Sequence, residues 1–423
     1  MADTVICGID IGSAKIATIV GLQSEREDQI RIIGFNSTPS RGVKRGMVVD
    51  IEKVTQSVEE SVERAERMAG HKIHSAFLSI GGPHISSLNS HGVVAVSHPQ
   101  GEIQEDDVNR VIEAARAISL SSTRQIIEVT PRDYTVNGES GIKNPIGMSG
   151  VRLEVETHIV TASQTNLKNI DRCLTDVGIE NDGFVFSGLA SAEAVLTETE
   201  KELGVAVVDI GAGKTDITLY VDGSLSYSAS IGVGARHVTN DIAVGLRVAL
   251  DSAEQIKLYM SSKKADFFNK GKSKSDMIPL SELKLAEKLA DVPIKLLVDG
   301  IIAPRLEEMY KLIAEELAKS GFAQQIPSGL VITGGGSLTA GMLETGKRVI
   351  GLPIRQGIPT GVTGLVDEIL DPQYATIVGL ILSGKRNLIQ DDRGSKNFNR
   401  LFRDLTVANS MQKLKGFFKQ FIP

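Results

Sequence analysis

The sequence predicts an α/β protein of two duplicated lobes, with a small α+β module inserted in the first lobe and an amphipathic helix at the C-terminus. Three observations predict it. The stretch "CGIDIGSAKIATIV" (7–20) is matched in its chemistry by "VVDIGAGKTDITLY" (207–220): an apolar strand ends on an aspartate, turns on glycine and lysine, and returns as a second strand. Between the copies, residues 83–163 change texture to short alternating strands around one helix. Beyond residue 385 a polar segment leads to a last stretch with helical periodicity.

Each element follows from its local pattern. Residues 4–11 and 16–22 are β-branched runs flanking a short glycine turn, a hairpin. "IEKVTQSVEESVERAERMAG" (51–70) carries apolar residues at helical spacing and stops on Gly70. "HSAFLSIGG" reads as a strand. In the insert, "HGVVAVS", "RQIIEVT" and "VRLEVETHIVT" alternate as strands around the helix "EDDVNRVIEAARAI". Helical periodicity returns at 165–178, followed by the strand "GFVFSG" and a helix over 187–201. The second half restarts with strand–turn–strand at 205–222. Helices follow at 238–260, 281–290 and 298–320, with a polar lysine-bearing loop after 260. "SGLVITGGGSLTAGML" (328–343) is strand, glycine loop and helix start, and 371–385 is a further helix. The segment 386–405 reads as a flexible linker.

Composition bounds the function. A chain of 423 residues has room for two or more domains, and 41% hydrophobic with 23% charged residues excludes both a disordered and a membrane-spanning protein. Cys7 and Cys173 form no CxxC, so neither a disulfide framework nor a zinc site is expected. Seven histidines without paired-ligand spacing predict no protein-ligated catalytic metal. The N-terminus lacks the pattern of a secretory signal, and runs such as "ATIVGLIL" are too short to span a bilayer. The net charge of −6 divides unevenly: from Lys385 onward nine Lys/Arg face three Asp, a surplus of six that leaves −12 for the rest. No nucleic-acid partner is expected for such a body, whereas the basic tail implies an anionic one.

The two Asp-Ile-Gly turns carry the chemistry. Each sets a carboxylate, Asp10 or Asp209, at the carboxyl end of a strand, where α/β folds bind ligands. The glycines after it let backbone amides approach an anion, so facing turns can clamp a polyphosphate, with Ser13, Thr215 and the lysines as further donors. The carboxylates would hold Mg²⁺ through its waters, and one of them could polarise an attacking water. A Walker A loop needs glycine where Val208 stands, and a GxGxxG fingerprint needs glycine where Asp216 stands, so both alternatives fail. A bare hairpin with a satisfied aspartate explains one copy but not two. Gly334, Gly335 and Gly336 follow the strand "GLVIT" and would let a flat group lie against the loop.

The order "DIGSAK", "VVDIGAGKTDITLY", "VITGGGSLTAG" resembles the phosphate-1, phosphate-2 and adenosine motifs of the actin-like ATPase superfamily. Segments such as "GIKNPIGMSGVRLEVETHIVT" and "GLASAEAVLTETEKELGVAVVDIG" are similar to the bacterial cell-division family FtsA across essentially the whole chain. The resemblance implies subdomain 1A from 1–83, 165–196 and 363–387, the insert 1C at 84–164, 2A from 197–235 and 301–362, 2B at 236–300, a linker at 388–405 and a membrane helix at 406–423. Carried over, Asp10 and Asp209 are the Mg²⁺-associated carboxylates, and Gly12, Ser13, Lys15, Gly211, Ala212, Gly213, Lys214 and Thr215 line the phosphates of ATP. Gly334 to Ser337 meet the adenosine.

"DSAEQIK" resembles the helix that contacts ribose and base through Glu254 and Lys257, which are equally an i,i+3 surface pair. Glu193 stands where actin has its water-orienting glutamine, or is simply an exposed helix glutamate. Ala212 replaces a glycine found in many members, which favours ATP binding over fast hydrolysis. "SGLASAEAVL" and "ATIVGLILSG" match the two connecting helices, whose small residues allow either a hinge or plain core packing. The implied function is to tether FtsZ filaments to the cytoplasmic face of the membrane at the septum. The implied partners are the FtsZ C-terminal peptide on 2B, further copies of the chain, and later division proteins on 84–164. A sugar or acetate kinase of the superfamily is the alternative, but no acceptor-site motif appears. A chaperone ATPase lacks its substrate-binding domain here.

The tail completes the picture. On a helical wheel Met411, Leu414, Phe417, Phe418, Phe421 and Ile422 fall within an arc of roughly 140°, with Lys413, Lys415 and Lys419 beside or opposite it. That pattern fits a helix lying in the headgroup layer of an anionic membrane; a terminal helix docked on the body is the other reading.

Overall fold

From the N-terminus, β1 (Thr4–Ile11), β2 (Lys15–Gln23) and β3 (Ile30–Pro39) run as an antiparallel meander. A small hairpin, β4 (Val43–Lys44) and β5 (Met47–Val48), leads into α1 (Ile51–Ala69). Asp50 caps α1 by accepting from the Lys53 amide, and Gly70 closes it in the left-handed region at φ 68°. Val54, Val58, Val62 and Ala65 recur every three or four residues on its buried face. β6 (Ser75–Ile80) then pairs parallel to β1. The structure, a computed structural model, describes residues 4–24, 29–98, 101–262, 277–287, 289–365 and 367–392.

After β6 the chain leaves the lobe as β7 (Ser86–Ala95), α2 (Glu105–Arg116), β8 (Arg124–Val136), β9 (Glu139–Ile142) and β10 (Arg152–Ser163). These make an antiparallel sheet in the order β7-β10-β8-β9, packed on α2 around a core of its own that includes Ile103, Val111, Leu153 and Val155. An independent core defines this insert as a separate folding layer. The chain re-enters lobe I through α3 (Gln164–Val177) and β11 (Glu180–Phe186), which pairs parallel to β6.

Two short helices, α4 (Ser187–Val195) and α5 (Glu198–Leu203), lead to lobe II. There β12 (Val205–Ile210), β13 (Thr215–Val221) and β14 (Ser224–Ile231) repeat the meander. α6 (Arg236–Leu246) and α7 (Leu250–Ser262) follow, then the paired β15 (Met277–Ile278) and β16 (Val292–Pro293). A short helix at Ile294–Leu297 continues through a π turn into α8 (Ala303–Lys319). β17 (Leu330–Thr333) pairs parallel to β12, α9 (Met342–Ile350) follows, and β18 (Ile354–Gln356) pairs parallel to β17. Finally β19 (Val362–Gly364) returns to lobe I beside β3, and α10 (Ala375–Asp392) packs on α4 and β1. The strand orders β3-β2-β1-β6-β11 and β14-β13-β12-β17-β18 are therefore the same five-strand pattern twice.

α4 and α10 meet without side chains between them. A Cβ built on Gly379 of α10 would lie 1.6 Å from the Ala190 carbonyl oxygen of α4, so no other residue fits there. The insert covers β14, the outer strand of the lobe II sheet, with polar groups. Ser87 Oγ donates to the Ser228 carbonyl at 2.7 Å and accepts from the Ser228 amide at 3.2 Å. His158 bridges Asn89 Oδ1 at 2.7 Å and Ser228 Oγ at 3.0 Å. Burial drives the His158 pKa down to about 3, so the imidazole that joins the two sheets is neutral.

Three expectations change. The helix expected over 187–201 breaks at Leu196, because Thr197 and Glu200 form a capping box that starts α5 afresh. The helix expected at 281–290 is a single 3₁₀ turn at Leu280–Glu282. Its polar residues are engaged elsewhere: Ser281 donates to Asp291, and Glu287 accepts from Ala249 N and Ser252 Oγ. At the C-terminus α10 continues to Asp392, into the segment expected as a linker over 388–405. The rest of that segment and the membrane helix 406–423 lie outside the described residues.

Candidate functional site

The two turns are built alike. In each, the glycine amide donates to the carbonyl of the lysine three positions on: Gly12 to Lys15 at 3.0 Å and Gly211 to Lys214 at 2.9 Å. The strands on either side pair in the same register, Ile11 opposite Ile16 and Ile210 opposite Thr215. Among the described residues no backbone carbonyl accepts from the amides of Ser13, Ala14, Ala212 or Gly213. The turns meet tip to tip, since a Cβ on Gly213 would sit 3.0 Å from Ser13 Oγ. Ser13 Oγ itself accepts from the Gly46 amide at 3.0 Å, which ties the β4–β5 hairpin to the same place.

Each carboxylate is held by one oxygen. Ser79, at the end of β6, donates to Asp10 Oδ1 at 2.5 Å. Ser191 of α4 and Thr376 of α10 donate to Asp209 Oδ2 at 2.5 and 2.8 Å. The second oxygen of each carboxylate accepts no hydrogen bond among the described residues. Burial raises the Asp10 pKa, with the nearby Asp209 charge adding to it and Ser79 and Lys214 opposing it. A half-buried carboxylate and a buried one, each with one open oxygen, form a place where a cation could sit. The described residues contain no cluster of three or more metal-ligating side chains, so a metal here would keep most of its water.

The lysines have partners. Lys15 Nζ donates to Gln373 Oε1 at 2.9 Å and lies 3.6 Å from the centroid of the Tyr374 ring. Burial lowers its pKa to about 8, against the opposing pull of Asp10 and Asp371. Lys214 is ion-paired with Asp216, and Ser230 Oγ donates to that carboxylate at 2.5 Å. Burial pushes the Asp216 pKa up, and its lysine partner opposes the shift.

The glycine loop is set by its own strand. Gly334 has φ +81°, and a Cβ there would lie 2.2 Å from Asp209 Oδ1; one on Gly336 would lie 2.4 Å from Ile210 Cγ2. Both are glycines because the loop folds against the end of β12, whereas Gly335 faces a looser contact with Gln373. Ser337 is buried and donates to the Gly334 carbonyl at 2.7 Å. Thr215 is also buried and donates to the Val233 carbonyl at 2.8 Å, which holds the loop before α6 rather than lining the cleft. Gly211 and Ala212 present carbonyls to the amides of Ala235 and Arg236 at the start of α6.

On α7, Lys257 donates to Glu254 at 2.7 Å and to Thr239 at 3.0 Å, so the two residues form the i,i+3 pair while α7 reaches the glycine loop through Ser261, which accepts from the Ala340 amide. Glu193 departs from expectation. Two residues past Ser191 on α4, it turns to the opposite side and pairs with Arg386 at 3.0 Å and Lys201 at 3.7 Å. Ser191, not Glu193, is the α4 residue that touches the cleft aspartate. The sequence reading also missed Asp216, Ser79, Thr376 and Gln373. A charged residue in the apolar strand "TDITLYV", directly opposite Asp209, was the available signal for Asp216.

Comparison with known proteins agrees with this architecture. The domain described as "SHS2 domain inserted in FTSA" matches residues 82–161, and "Cell division protein FtsA" matches 206–379. Cell division protein FtsA of Pseudomonas aeruginosa is 39% identical over 386 residues, covering 90% of this chain and 89% of its own. The chain belongs to the FtsA family. The FtsA protein of Borreliella burgdorferi is 36% identical over 418 residues, 99% of both chains, and that of Escherichia coli K12 is 34% identical over 389, 90% of both.

Among solved structures, the PilM–PilN type IV pilus biogenesis complex superposes with a TM-score of 0.60 at 16% identity, over 90% of this chain and 98% of that one. MreB5 of Spiroplasma citri, solved with ADP, does so with a TM-score of 0.54 at 13% identity, over 92% and 98%. The fold is thus the actin-like ATPase fold, with the SHS2 insert at 82–161 where 84–164 was expected.

Proposed function

We propose that this FtsA-family chain binds Mg-ATP between its lobes and, through self-association, tethers FtsZ filaments to the cytoplasmic face of the membrane during septal-ring assembly. The observation that carries it is the meeting of two matched turns, Ser13 against Gly213, each with an aspartate held by one oxygen and open at the other. The amides of 13, 14, 212 and 213 would cradle the phosphates, with Lys15 and Lys214 as cations beside them. Asp10 and Asp209 would hold the waters of Mg²⁺, which neutralises phosphate charge. Gly335 and the α7 pair Glu254–Lys257 would border the adenosine. Glu193 is left out of the site by its pairing with Arg386.

The FtsZ C-terminal peptide is assigned to 236–300, the insert to later division proteins, and the residues 411–422 to anionic lipid. These assignments rest on family membership and on the apolar arc of the tail. Calorimetric titration with Mg-ATP tests the nucleotide site. Asp209→Ala is expected to weaken binding at least tenfold, about 1.4 kcal/mol. Equal affinity in the variant would remove Asp209 from the site and with it this reading.

A further inference from the structure

A chain of polar contacts runs from the cleft to the root of the insert. Lys214, in the lobe II turn, is ion-paired with Asp216. Asp216 Oδ1 accepts from Ser230 Oγ at 2.5 Å. Ser230 Oγ accepts in turn from the amide of Gly82 at 3.0 Å. Gly82 is the first residue of the inserted domain, which spans 82–161. Every member is held close. A Cβ on Gly81 would lie 2.2 Å from Lys214 Nζ, and Asp216 is 1% exposed. Ser230 lies on β14, the strand on which the insert docks through Ser226 and Ser228.

The docked joint also leaves a polar group unsatisfied. Both ring nitrogens of His84, two residues into the insert, are buried without a hydrogen-bond partner among the described residues. Burial and the neighbouring Lys214 and Arg124 charges bring its pKa down to about 4. A buried polar group without a partner costs stability, so an arrangement that gave His84 a partner would compete well with the docked one. The docking surface itself is of hydroxyl, amide and imidazole groups, with Lys143 bonding Asp222 and Ser224, rather than an apolar core, which lets it part and re-form in water.

We propose that Lys214 is a phosphate sensor that sets how firmly the insert is docked on lobe II, an inference that rests on nucleotide binding between the turns. Lys214 cannot serve a phosphate and Asp216 equally. When a phosphate shares the ammonium, the buried Asp216 carboxylate loses part of its counter-charge and leans harder on Ser230 Oγ. The polarised Ser230 Oγ is then the stronger acceptor for the Gly82 amide, and the root of the insert is held more firmly on β14. Information passes through named hydrogen bonds, from the triphosphate to the surface assigned to partner proteins, and no change in the lobes themselves is required. By reciprocity, a partner that favours the firmly docked insert tightens nucleotide binding.

Hydrogen exchange on the full chain, with and without saturating Mg-ATP, tests the relay. Amides of 82–90 and 224–230 in the wild-type chain should exchange more slowly on adding Mg-ATP, by roughly fivefold or more. Ser230→Ala removes the link to Gly82 but leaves the Lys214–Asp216 pair. In that variant these segments should exchange fast without nucleotide and respond little to it, while calorimetry still shows Mg-ATP bound, no more tightly than in the wild type. Bound Mg-ATP with unchanged exchange in the wild type, or an equal response in Ser230→Ala, overturns the relay and leaves the nucleotide site standing. Failure of the wild-type chain to bind Mg-ATP overturns the nucleotide reading and the relay together.

Discussion

Asp209 gathers more of the molecule than any other residue of the cleft. Its side chain receives Ser191 from one connecting helix and Thr376 from the other, and its second oxygen lies where a side chain at Gly334 would begin. That crowding gives a sharp test. Gly334→Ala would both adopt the left-handed conformation at φ +81°, where L side chains are strained, and drive a methyl into the Asp209 carboxylate. A loss of about 2–4 kcal/mol is expected, by denaturant unfolding, from strain plus overpacking. Stability within about 0.5 kcal/mol of the wild type would show that the loop is free to move off β12. The residue scale is also where sequence reading was weakest. Asp10, Asp209 and the glycines were legible because they sit in a repeated motif. Ser79, Ser191 and Thr376 were not, because each comes from a different element and only folding brings their hydroxyls to the carboxylates. Glu193, read either as a cleft residue or as an exposed helix glutamate, pairs with Arg386 and Lys201, because two positions along a helix from Ser191 reverse the direction in which a side chain points.

At the scale of elements, the insert strands read at 91–97 and 124–130 run over Ser86–Ala95 and Arg124–Val136, whereas helices and hairpins with a strong period were read closely. α1, with its aspartate cap and glycine stop, is one case; the paired hairpins are another. Errors fell where a local device overrides the period. The Thr197–Glu200 capping box splits one expected helix in two, and side-chain bonds from Ser281 and Glu287 keep 281–287 from forming another. The element that most affects the proposed role is the tail. Each large apolar side chain of 411–422 is worth up to about 1.5–3 kcal/mol when buried, and each lysine near anionic lipid about 1 kcal/mol. Partial immersion and the cost of ordering a short helix leave reversible binding. Removing 411–423 should therefore abolish co-sedimentation with vesicles of anionic lipid while Mg-ATP binding is retained. Undiminished sedimentation would assign membrane contact to another surface.

On the scale of the whole molecule, duplication was readable from two motifs alone, and the strand orders of the two lobes repeat it in full. The position of the insert was readable as a change of texture; its docking on β14 was not, since it depends on serines that look like any surface serines. A ligand that touches both lobes should stabilise the assembled body by mass action. Mg-ATP at one hundred times its dissociation constant is expected to add about 2.7 kcal/mol, seen as a melting temperature that climbs with the logarithm of its concentration. A flat response would mean that the ligand contacts neither lobe of the native state.

The contact of Gly379 with the Ala190 carbonyl has a mechanical consequence. Two rods touching backbone to backbone share a fulcrum, and Ser191 and Thr376, one on each rod, hold Asp209 beside it. Were the lobes to turn about this point, Asp209, tied to both rods, would travel far less than the rim, and the cleft would need little realignment.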